Sequence, residues 1–260
     1  MNMLRTTAFG LGALALAGFA SAGAALAEPT DVTVRVISKG AKFVGSSMGG
    51  VRITLRDANT AEILAQGQTS GGTGSTEKIM KTEHPRGAPV STADSAKYTA
   101  TLDLETPRLV RVEAYGPMSQ RQSAVTVAST QWVVPGKDVT GGDAWLLELP
   151  GFIVDVVAPQ TPTKAGDAPQ TIALKANVSM MCGCPITPGG LWDANDYEVA
   201  AMLMRDGEPV RTVPLSYAGS ASQFEGDMEI SEPGAYEAVV YAYDPASGNT
   251  GLDRATFSLN

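Results

Sequence analysis

"EPGAYEAVVYAYD", Glu232 to Asp244, decides how the chain reads. A Pro-Gly pair opens it as a turn. Tyr236, Ala238, Val240 and Ala242 then fall on alternate positions, with Glu237, Val239, Tyr241 and Tyr243 between them. A period of two belongs to a strand, whose successive side chains face opposite sides of a sheet. Working outward, the same signal recurs. "YEVAAMLMRDG", "EPVRTVPLSYAG", "SQFEGDMEIS" and "LDRATFSLN" surround it, and "MRDGEP" carries an Asp-Gly hairpin dipeptide between two of them.

The first half reads the same way. "DVTVRVIS" (Asp31–Ser38), "GVRITLRD" (Gly50–Asp57), "KYTATLDL" (Lys97–Leu104) and "RLVRVEAYG" (Arg108–Gly116) alternate apolar with polar residues. "SAVTVAST", "QWVVPG", "AWLLEL" and "FIVDVVAP" continue the series to Pro159. One modest helix candidate, "ANTAEILAQG", suits a hairpin as well. The expected fold class is all-β, with two consecutive β-sandwich domains: residues 28–150, then 151–260. The first carries a long polar stretch over 68–96, either disordered or a flap on the surface. "QTPTKAGDAPQ" (Gln160–Gln170) reads as a linker or a long loop of the second domain.

Residues 1–27 read as a cleaved signal peptide. Arg5 is their only charge, an Ala/Leu/Gly-rich run follows, and Ala25-Leu26-Ala27 fits a small-x-small cleavage pattern. No cysteine follows that run, which argues against a lipid-modified start. Removing Arg5 takes the net charge from −8 to −9. That balance opposes unaided nucleic-acid binding and attachment to anionic membranes. The expected product is exported, periplasmic or extracellular, with no stable membrane insertion after cleavage and another exported protein as its partner.

Two resemblances follow from these residues. "EPGAYEAVVYAYD" resembles the penultimate strand of immunoglobulin and fibronectin-type sandwiches, where a Gly-x-Tyr opens the strand and the tyrosine hydroxyl ties the corner to backbone. The resemblance makes Tyr236 the corner tyrosine. Ala238 stands where antibody domains carry their second inter-sheet cysteine, so that bond is absent. "GVRITLRDANTAEILAQGQT" (Gly50–Thr69) resembles the opening hairpin of carboxypeptidase-regulatory-like, or transthyretin-like, β-sandwich modules. Such modules serve as structural or binding appendages, and the resemblance supplies no catalytic residue.

Chemistry concentrates in "SMMCGCPITPGGLWD" (Ser179–Asp193), which holds the only two cysteines, Cys182 and Cys184. Thiolate and thioether sulfur favour Cu(I). Cys182 and Cys184, with Met180 or Met181, could hold such an ion, and Trp192 could cover the loop and exclude water. The same cysteines could instead form a small-ring disulfide, redox-active or structural, or pack as inert thiols. Tetrahedral zinc would need two more ligands. His84, the only histidine, lies in the polar stretch. "GSSMG" (Gly45–Gly49) matches a nucleophile pattern around Ser47 but lacks the strand–turn–helix that pattern requires. Asp193, Asp196 and Glu198, and Asp244, Asn249 and Asp253, offer oxygen to Ca²⁺, and also suit ordinary turns.

The leading functional expectation is therefore a non-catalytic exported binding or accessory protein taking Cu(I) at the Met-Met-Cys-Gly-Cys loop. The alternatives are a structural or adhesion module with the pair as a local disulfide, and a thiol–disulfide oxidoreductase.

Overall fold

The computed structural model describes residues 27–260. The signal-peptide expectation therefore falls almost wholly outside the described residues. Sixteen strands follow, divided between two hydrophobic cores.

The first seven strands are β1 (Glu28–Ser38), β2 (Arg52–Asp57), β3 (Ile63–Gln68), β4 (Tyr98–Leu104), β5 (Arg108–Gly116), β6 (Val125–Val133) and β7 (Trp145–Leu149). They form two sheets, in the orders β4-β1-β7 and β3-β2-β5-β6. β1 lies antiparallel to β4 and parallel to β7. Val32, Val34 and Val36 point inward to meet Ile53, Leu55, Val110 and Val112 of the facing sheet. The period-two signal thus became a sandwich core, as alternation requires. "ANTAEILAQG" is the β2–β3 hairpin, not a helix.

The polar stretch 68–96 is a flap. It bears one five-residue π-helical turn, Glu77–Lys81, and pairs Ser70 with Lys97 and Gly72 with Ser95. Arg35 explains why it stays down. Arg35 sits on the outer side of β1, where alternation predicts exposure, yet it is only 7% exposed. Its guanidinium donates to the carbonyls of Ser95 and Ala96. Asp143 accepts from the amides of Val90 (2.9 Å) and Ser91 (2.8 Å), pinning the flap's far part.

The other nine strands are β8 (Phe152–Ala158), β9 (Thr163–Gly166), β10 (Gln170–Met180), β11 (Glu198–Arg205), β12 (Glu208–Pro214), β13 (Ser216–Tyr217), β14 (Gln223–Ile230), β15 (Gly234–Asp244) and β16 (Asn249–Leu259). Their sheets run β13-β14-β10-β8 and β12-β11-β15-β16-β9. The chain begins in one sheet as β8, crosses, and joins the other as β9, parallel to β16. "QTPTKAGDAPQ" is thus part of this sandwich and contains β9. This is the immunoglobulin arrangement, with β10 and β14 facing β11, β15 and β16. Tyr236 is its corner tyrosine: the hydroxyl donates to the Glu232 carbonyl at 2.8 Å. Ala238 is fully buried where an inter-sheet sulfur would stand. The Asp206-Gly207 turn has positive φ at both residues (52° and 85°), the conformation a two-residue hairpin prefers.

Candidate functional site: the joint between the sandwiches

Only Pro150 and Gly151 separate β7 from β8. The first sandwich therefore meets the second at the end where β8 begins. In an immunoglobulin arrangement that end also carries the loops β10–β11, β13–β14 and β15–β16. The Cys loop is the first of these, residues 181–197.

The loop starts with a tight turn. Gly183 N donates to Met180 O (2.7 Å), and Met180 N to Cys184 O (3.1 Å). Gly183 has φ +76°, and a Cβ there would come within 2.4 Å of the Met48 Sδ in the first sandwich. Only glycine allows that close approach without rearrangement. Ile186 and Ser222 exchange bonds between this loop and the β13–β14 loop. Further on, Trp192 donates its indole N–H to the Gly40 carbonyl of the β1–β2 connection at 3.0 Å. Ala41, beside it, is buried in the second core.

The sulfur atoms that sequence groups together are divided by this packing. Met180 (3% exposed) faces the second core, and the next residue, Met181 (fully buried), fills the first. Cys182 and Cys184 are both buried, with their sulfurs at disulfide distance and Cα atoms 5.4 Å apart. Among the described residues, no three His, Cys, Asp or Glu side chains converge on a metal-sized position. Trp192, 7% exposed and bonded to Gly40, lies at the interface.

Residues that carried no signal in sequence complete the joint. Asn249 (3% exposed) accepts from Gly151 N (2.7 Å) and donates to Gly151 O (2.9 Å), satisfying both polar groups of the connecting glycine. Ser123 does the same for Val154 of β8, at 3.0 and 3.1 Å. A lone buried Asn or Ser reads as a turn residue until its distant partner is known. Tyr197 packs edge-on to Phe152 with centroids 5.2 Å apart. Burial, then the carboxylates of Asp244, Asp196 and Asp193, push its hydroxyl up to about 12. It is therefore neutral at physiological pH.

The remaining candidates lie elsewhere or serve the backbone. His84 is exposed on the flap. Ser47 is exposed on a three-residue 3-10 turn between β1 and β2, with no α-helix after it. Asp193 accepts from Asn195 N (2.9 Å) and Asp244 from Ala246 N (2.9 Å), both supporting local turns, while Asp253 accepts from Val156 N (2.9 Å) across to β8. A groove of about 530 Å³ runs along the joint between Val125 and the outer faces of Met202, Val239, Tyr241 and Leu252.

No family model and no curated protein matches the sequence. Among solved structures, the chain is similar to an engineered protein at 15% identity and TM-score 0.32, over 46% of this chain and 22% of that one. It thus spans about a fifth of that protein's length. It is also similar to the fibronectin(III)-like modules of Clostridium thermocellum CbhA (13% identity, TM-score 0.30, 88% of this chain and 90% of that one). A third is the titin domain pair Z1Z2 in complex with telethonin (11% identity, TM-score 0.25, 90% and 96%). At TM-scores this low, the assignment of architecture stands on the strand order itself.

Proposed function

We propose that the chain is an exported, non-catalytic structural or interaction module, and that the Cys182–Cys184 pair is a staple in the joint between its two sandwiches. One observation carries this reading: the loop end that an immunoglobulin-type sandwich commonly offers to ligands is here packed against a second domain. Met181 enters the first core, Trp192 is bonded to Gly40, and Gly183 lies against Met48. To hold a soft cation, Cys182 and Cys184 would have to be free thiolates. In this geometry the two sulfurs are joined and buried, and one neighbouring thioether faces away from them into the other core.

The test is a thiol count on the protein as isolated, followed by Cu(I) titration of the reduced protein against a chromophoric chelator, with Cys182→Ser/Cys184→Ser alongside. The staple reading expects no free thiol and no difference between the two proteins in copper uptake. Stoichiometric uptake lost in the variant would overturn it in favour of metal handling. A reduction potential below about −300 mV marks a structural bond, whereas turnover of a disulfide substrate at a higher potential points to an oxidoreductase.

A further inference from the structure

Among the described residues, eight strands lie at sheet edges, and seven of them are short or carry devices that discourage pairing. β13 has two residues, and β3 has six with an irregular register. β12 contains Glu208, Pro209 and Arg211; β4, β7, β8 and β9 contain Asp103, Glu148, Asp155 and Lys164. Charges, prolines and bulges are the usual protection of an open edge. β6 has none of them. "VTVASTQWV" is nine residues long, its pairing with β5 is unbroken, and no charge occurs between Arg121 and Lys137. Among the described residues, no strand pairs with its outer side. It also bears Trp132, 63% exposed, the most exposed of the large hydrophobic residues described.

We propose that β6 is the pairing edge of a two-fold homodimer, lying antiparallel against β6 of a second copy. The proposal rests on the interaction-module reading only in naming the partner, since the staple stands or falls by the thiol count. A second copy fits better than a charged peptide, which would find no countercharge along these residues. A two-fold pairing centred on Ser129 matches the whole strand to itself. It sets Ala128 opposite Thr130, Val127 opposite Gln131, Thr126 opposite Trp132 and Val125 opposite Val133. No like charges meet, although the chain as a whole is acidic. The register also sets Trp132 of each copy opposite the other's Thr126 on the outer face of the joined sheet, so a two-fold axis gives both exposed indoles a neighbour across the seam.

Sedimentation of the purified protein over a concentration series tests this. The native chain is expected to form a dimer reversibly. Ala128→Lys with Thr130→Lys sets lysines opposite each other at two places and should raise the dimer dissociation constant at least about tenfold. Ala128→Lys with Thr130→Glu sets opposite charges face to face and should restore the dimer. Both positions are exposed, and the thermal midpoint of each variant verifies its fold. A monomer at every concentration, a dimer indifferent to the two lysines, or equal loss in both variants would overturn the proposal.

Discussion

The Cys loop and β6 are opposites. The loop and the last residue of β10 hold the chain's two cysteines, two methionines and a tryptophan within thirteen residues, all of them buried. β6 holds no reactive group, and its open side faces solvent with a row of backbone donors and acceptors. Reactive side chains in the one region are spent on internal packing. In the other, a blank sequence leaves the peptide backbone as the binding group. Conspicuous residues are therefore a poor guide to where this molecule meets others.

The contrast predicts that substitutions in the loop change stability, and those on β6 change association alone. The largest effect falls on Met181. Its thioether fills a core whose other members come almost entirely from the first seven strands. Met181→Ala should cost about 2–5 kcal/mol. Because the lost contact crosses the joint, denaturant unfolding followed by tryptophan fluorescence should split into two transitions. A single unshifted transition would mean that Met181 is not seated between the domains.

A smaller effect comes from Tyr197. Its hydroxyl is raised from 10 to about 12 in the fold. Its contribution is complete below about pH 10, where the unfolded tyrosine begins to ionise, and is lost as pH rises through the folded value. Stability should thus fall between about pH 10 and 12, and Tyr197→Phe should remove that part of the fall. The smallest effect is the sharpest contrast: Ala128→Lys alone should shift unfolding by less than about 0.5 kcal/mol, as an exposed position away from caps and cores. A larger loss would place β6 within the stability of the monomer and erase the distinction.

The strands were legible because alternation is a local property, and burial on one face enforces it. Tyr236 was legible because its hydrogen bond spans four residues. The joint was not. Period two says that Met180 and Met181 face opposite ways, but not that a second core waits on the far side. Arg35 occupies an outward position in "DVTVRVIS", and nothing nearby tells that residues sixty further on will cover it. Asn249 and Gly151 are 98 residues apart. Each of these depends on which surfaces meet after the sheets have formed. β6 was legible as strand material in two pieces, "SAVTVAST" and "QWVVPG"; its edge position depends on strand order, which no single stretch encodes.

The two-residue connection between β7 and β8 also decides where the chain can tolerate added length. Extra residues beside Gly151, or between Met180 and Cys182, would have to bulge into surfaces already in contact. The Asp206-Gly207 turn lies at the far end of β11, with both residues exposed. Foreign sequence grafted there would hang clear of the body, and a reporter or affinity tag could ride on this protein without loosening its waist.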